Sequence, residues 1–235
     1  MVSKSRLTET WRNDYRGLDA FAAIRPFRRR KTSVSRSTSG GVRSIRFISD
    51  AIYDGRLTSH PDCARQSTEA GTGLRWIPAV HHGCATESHA EAQLVLSTVS
   101  DLIDTKWTDQ HGESRPVRPD DIMVVAPYNN QVALLREHLD ADPATRGVPV
   151  GTVDKFQGQE AAVVVYSMTS SSAGDAPRGT DFLFSRNRLN VAISRARCLA
   201  YLVCTEQLLN SRARNVEEMK LLSCLASFVE HAEAR

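Results

Sequence analysis

The chain has 235 residues, 41% of them hydrophobic and 24% charged, enough apolar material for one substantial core or two small ones. No apolar run approaches the roughly eighteen residues of a membrane span, and Phe21-Ala22-Ala23-Ile24 is cut short by Arg25-Pro26, so a cytoplasmic protein with no membrane partner is expected. The five cysteines (63, 84, 198, 204 and 224) are odd in number and never spaced C-x-x-C, which argues against a disulfide framework and a zinc ribbon.

The net charge of +3 is unevenly spread: residues 1–50 carry 12 Lys/Arg against 4 Asp/Glu, and the remainder carries 18 against 23. The basic head includes Arg28-Arg29-Arg30-Lys31, which suits phosphate attraction as well as it suits a solvated tail. From Thr32 to Gly41 the only apolar residue is Val34, so nothing there can face a core. Two regions are expected: a disordered basic leader over 1–43 and a folded domain over 44–235. Phe47, Ile48, Ala51 and Ile52 recur at helical spacing before Gly55, predicting a short helix over 46–55.

Beyond it, short apolar runs alternate with amphipathic ones, the pattern of βα units with a mostly parallel sheet. About five strands are predicted, at 74–80, 122–126, 148–153, 162–168 and 199–204. Met123-Val124-Val125 and Val163-Val164-Val165 are apolar without alternation, as in strands covered on both faces. Helices are predicted at 88–104, 130–139, 188–195 and 216–232. Ligands of such sheets gather beyond the carboxyl ends of strands, which directs attention to the loops starting at Pro127, Asp154 and Thr169.

Three blocks carry chemistry. Ile122-Met123-Val124-Val125-Ala126-Pro127-Tyr128-Asn129-Asn130-Gln131 is a strand ended by proline, with a tyrosine able to stack on a base. Thr152-Val153-Asp154-Lys155-Phe156-Gln157-Gly158-Gln159-Glu160 is a polar loop between strands. In it Gly158 permits close backbone approach, Gln157 donates or accepts, and Glu160 can orient a water or a side chain. Arg186-Asn187-Arg188-Leu189-Asn190-Val191-Ala192-Ile193-Ser194-Arg195-Ala196-Arg197 concentrates arginines, whose planar forks match phosphate, before a buried strand. Taken singly, each block also reads as ordinary surface.

In this order and spacing the blocks resemble motifs IV, V and VI of superfamily 1 helicases of the Upf/Dna2-like branch, over residues 46 to 204. The wording of the second and third blocks is also similar to bacterial proteins that fuse a RecB-type nuclease to such a helicase. The resemblance implies a RecA-like, P-loop NTPase-type α/β fold and the role of second helicase domain. It also implies ATP and Mg2+ as cofactors, shared with a P-loop RecA-like domain, and single-stranded DNA or RNA as partner. Arg195 then corresponds to the arginine finger, and Glu160, Gly158 and Gln157 to the motif V residues beside the phosphate. Tyr128, Gln131 and Arg188 lie where this domain borders the nucleotide, and Thr152 corresponds to a contact with the nucleic-acid backbone.

Two departures qualify that resemblance. No G-x-x-x-x-G-K-[S/T] occurs in the chain, and no strand ends in Asp-Glu, so half of an ATP site is lacking and no ATP hydrolysis by the isolated chain is expected. Where the family carries Tyr-Arg-Met-His-Pro, this chain has Ser39-Gly40-Gly41-Val42-Arg43, which is what an interrupted reading frame with an unrelated leader would produce. Two other readings compete: a non-catalytic nucleic-acid or protein binding module or inactive remnant, and a metal enzyme built on His81, His82, Cys84 and His89. Side chains of adjacent histidines diverge on a strand and no carboxylate cluster joins them, so no metal site is expected.

Overall fold

The computed structural model describes residues 37–38, 58–59, 65–156, 158–183, 188–189, 193–213 and 215–234. The predicted helix over 46–55 and nearly all of the basic leader lie outside them. Within the leader, β1 (Ser37–Thr38) pairs in parallel with β2 (Thr58–Ser59), a contact that its composition did not announce.

The main sheet has six strands, all parallel. They are β4 (Gly73–Ala79), β7 (Ile122–Val125), β8 (Val150–Gly151), β9 (Ala161–Ser167), β10 (Ala196–Thr205) and β11 (Glu233–Ala234). Their order across the sheet is β11-β4-β10-β9-β7-β8. Alternate residues feed two separate cores. Ile122, Val124, Val163, Val165, Tyr201 and Val203 meet α1 (His89–Leu102) and α2 (Asn129–Ala141) on one face. Met123, Val125, Val164, Tyr166, Ala200 and Leu202 meet α4 (Glu206–Leu209) and α5 (Val216–His231) on the other, along with α3 (Thr180–Leu183). This is the expected α/β architecture, with both faces of a parallel sheet covered, and it explains why the strand interiors are apolar on both sides.

One of the strand predictions needs change, and several strands were not predicted. The segment expected to be a strand over 148–153 pairs only at Val150–Gly151 and then coils into a 3₁₀ turn, Val153–Phe156. Pro149 has no N–H for a ladder, and the Lys155 side chain lies so close over Gly151 that a Cβ there would meet it at 2.6 Å. β11 was not foreseen, nor was a small antiparallel sheet of β3 (Ser67–Thr68), β5 (Lys106–Thr108) and β6 (Ser114–Pro116). There Trp107 packs beneath the Arg115 guanidinium, 4.5 Å from its ring centre, and Arg115 forks onto Asp121 ahead of β7.

Helix α5 closes the second core through Leu222, Leu225 and Phe228. Its start is set by Asn215, whose side-chain oxygen accepts from the Glu218 N–H at 2.9 Å. Asn215→Ala is therefore expected to lower stability by about 1 kcal/mol. The check is a shifted denaturant midpoint at unchanged slope. Among the described residues no helix is long and apolar enough to cross a membrane.

Candidate functional site

Because every strand of the main sheet runs the same way, its two ends are distinct rims, and the motif residues separate between them. At the amino rim β9 and β10 start side by side, and the Ala161 N–H donates to the Arg195 carbonyl at 3.0 Å. This bond brings together Glu160 and Arg195, the residues flanking it. The Glu160 carboxylate accepts from Arg197 Nε at 3.3 Å. Nε of Arg195 is buried and has no hydrogen-bond partner. Gly158, on the loop leading into β9, has φ +85° and open space beside it, a conformation that disfavours any side chain. Gln157 lies outside the described residues.

Tyr128, Gln131, Thr152 and Arg188 belong to the other rim. Tyr128 follows β7, and Thr152 follows β8 and is half-buried. Arg188 reaches Asp154 at 3.4 Å and lies over the Phe182 ring, 4.2 Å from its centre. Phe182 in turn meets the Tyr128 ring at 5.7 Å. The helix expected over 188–195 is described at 188–189 and again at 193–194, and Ala196 already belongs to β10.

Gln131 is corrected more strongly. It is fully buried, its Oε1 accepts from the Ser88 N–H at 2.7 Å, and its Nε2 donates to the Ser167 hydroxyl at 3.0 Å. Every polar atom of the side chain is occupied inside the protein, so it is a strut between α1, α2 and β9 with nothing left for a nucleotide. Tyr128 is also buried, and its hydroxyl has no hydrogen-bond partner.

The sequence reasoning missed what Gln131 props up. Glu91, with no exposed surface, accepts from His81 Nε2 at 3.1 Å, from the Thr169 N–H at 2.9 Å and from the Ser167 hydroxyl. His81 Nδ1 sits 2.7 Å from the Ser171 hydroxyl, which also accepts from the Cys84 N–H. Burial, and then the charge of Glu91, push the neighbouring Cys204 thiol above its ordinary range. The spacing Ser88-x-x-Glu91 was the available signal, because it has the form of a capping box. Ser88 does cap α1 by accepting from the Glu91 N–H, but the Glu91 side chain turns inward. The histidines of the competing metal reading take other partners. Both nitrogens of His81 are engaged, Nδ1 of His82 faces Gln207, and the His89 ring lies against His138. Among the described residues no cluster of three metal-ligating side chains exists.

A family model described as "AAA domain" matches residues 43–207. The chain belongs to this AAA domain family. Its similar proteins include the DNA-binding protein SMUBP-2 of Rattus norvegicus, 30% identical over 209 residues that cover 81% of this chain and 19% of the relative. The DNA polymerase alpha-associated DNA helicase A of Schizosaccharomyces pombe is 37% identical over 110 residues, 46% of this chain and 14% of the relative. The DNA replication ATP-dependent helicase/nuclease DNA2 of Xenopus tropicalis is 35% identical over 102 residues, 39% of this chain and 9% of the relative. The chain thus spans about a fifth or less of the length of these relatives. Its parallel, doubly covered sheet is consistent with the RecA-like, P-loop NTPase-type fold that the motifs implied.

Proposed function

We propose that this chain is the C-terminal RecA-like half of a superfamily 1, ATP-dependent helicase acting on single-stranded DNA or RNA. In this reading the amino rim of its sheet closes over ATP and Mg2+ held by a P-loop domain. The observation that carries the reading is the junction of β9 and β10. It brings Glu160 and Arg195 to one rim and leaves a buried guanidinium N–H of Arg195 unsatisfied. A buried donor without an acceptor costs free energy unless a ligand or water meets it, and a phosphate oxygen is the acceptor that suits it best. ATP supplies the phosphoryl group. Arg195 stabilises charge on it as it leaves, Gly158 lets the loop backbone come close, and Glu160, steadied by Arg197, orients the attacking water.

Relatives named as helicases support the same reading, and a RecB-type nuclease in the parent protein belongs to the proposal. The missing P-loop sequence makes the isolated chain inactive toward ATP in this reading. To test it, the segment matching this chain in the Schizosaccharomyces pombe helicase is replaced by this chain, and ATP turnover is measured with and without single-stranded DNA. Turnover by the chimera and none by the chain alone is the expected result. Hydrolysis by the chain alone that survives both Glu160→Ala and Arg195→Ala would overturn the assignment. If the chain binds oligonucleotide but never supports turnover in the chimera, it is a binding module.

A further inference from the structure

At the carboxyl rim, away from Glu160 and Arg195, two arginines share one aromatic plate. The guanidinium centres of Arg178 and Arg188 lie 4.1 and 4.2 Å from the centre of the Phe182 ring. A guanidinium stacked on a ring loses rotational freedom while its N–H edge stays free for bidentate contact with phosphate, and here the Arg188 side chain keeps 21% of its exposure. Arg178 is exposed and makes no ion pair among the described residues, and the carboxylate facing Arg188 is that of Asp154, 3.4 Å away and 79% exposed. The long, solvent-screened Asp154 contact is easily exchanged for a stronger anion.

The Tyr128 ring lies 5.7 Å from that of Phe182, and the Tyr128 and Tyr166 hydroxyls are both buried and without a hydrogen-bond partner. Burial pushes the Tyr166 hydroxyl upward, and Arg188 pulls it the other way, which puts that phenol within the field of the same guanidinium. Thr152, half-buried after the end of β8, is next along the chain to the turn that holds Asp154.

We propose that Arg178 and Arg188, stacked on Phe182, form a binding site for successive phosphates of a single-stranded nucleic-acid backbone, on the rim opposite the ATP-facing residues. The two guanidinium centres are no more than about 8.3 Å apart, a span that neighbouring phosphates of one strand can bridge. The separation of rims decides between ligands: ATP phosphates belong with Arg195 at one end of the sheet, and a strand that must be held while ATP turns over belongs at the other. The inference rests on the helicase reading and deepens it by locating the nucleic-acid contact.

The test uses the full chain and a labelled oligothymidylate of about twenty nucleotides, followed by fluorescence anisotropy over a range of salt concentrations. Each phosphate contact contributes about −0.7 to the slope of log K against log salt on a single strand. Arg178→Ala, an exposed change that leaves the core intact, is expected to flatten the slope by about 0.7 and weaken binding about fivefold near 0.1 M salt. Arg188→Ala is expected to do the same, and the double variant to show both losses. The basic leader is present in every variant, so its contribution is common to all. Unchanged affinity and slope in Arg178→Ala, or no binding by the unmodified chain, would sink the proposal. Displacement of the oligonucleotide by equimolar ATP or inorganic phosphate would overturn it too, by reassigning the site to a nucleotide. No ATP turnover is read, so failure here leaves the Arg195 assignment standing, and failure of the chimera leaves this site standing.

Discussion

Replacing Arg195 with alanine is expected to lower ATP turnover of a completed enzyme by a factor of about 10³ to 10⁵, the range for loss of an arginine finger. Affinity for ATP should change far less, because the contact strengthens as charge develops on the transferring phosphate and is weaker in the bound ground state. The geometry around Arg195 sharpens this expectation. Its neighbour in the motif, Arg197, already neutralises Glu160, while Nε of Arg195 is buried without a partner. Arg197→Ala should therefore act indirectly, by releasing Glu160, and cost less in turnover than Arg195→Ala. The comparison is made in the chimera, with turnover and ATP affinity measured separately. If Arg197→Ala proves the more damaging, the finger has been assigned to the wrong arginine.

How far the sequence was legible depended on the element. β9 and β10 could be read because Val163-Val164-Val165 and Leu199 to Cys204 are apolar at every position, and the structure covers both faces of each strand. Lys106-Trp107-Thr108 and Ser114-Arg115-Pro116 gave no such sign. Each is three residues long and mostly polar, and β5 is held on one side by β3, far earlier in the chain. For the candidate site, the sequence names residues but does not show how they are arranged. Spacing along the chain does not reveal that Glu160 and Arg195 precede β strands while Tyr128 follows one, so residues expected together at the nucleotide separate between two rims. Gln131 misled for a further reason: a glutamine beside a motif tyrosine looks like a ligand contact, and only the fold shows it fully buried against Ser88 and Ser167.

That buried position leads to the largest expected effect on stability. Glu91→Ala should cost on the order of 3–5 kcal/mol, as expected when one member of a buried charged network is removed and its partners remain. Three donors lose their acceptor together: His81 Nε2, the Thr169 N–H and the Ser167 hydroxyl. Thr169 moderates the cost, because strain held there can relax once the bond to Glu91 is gone. It is β-branched and held at φ 72°, a conformation worth about 1–3 kcal/mol of strain, and the Glu91 carboxylate takes its N–H. With total stability near 5–15 kcal/mol for such a domain, the variant should melt roughly 10 °C lower. His81→Ala removes one donor and leaves two, so its cost should be smaller. The double variant should cost less than the two single changes together, because one donor left unpaired by Glu91→Ala is gone in it. Thermal unfolding of the three variants provides the measurement. A Glu91→Ala protein that melts with the unmodified chain would mean that the carboxylate is not what holds the ends of β4 and β9 together.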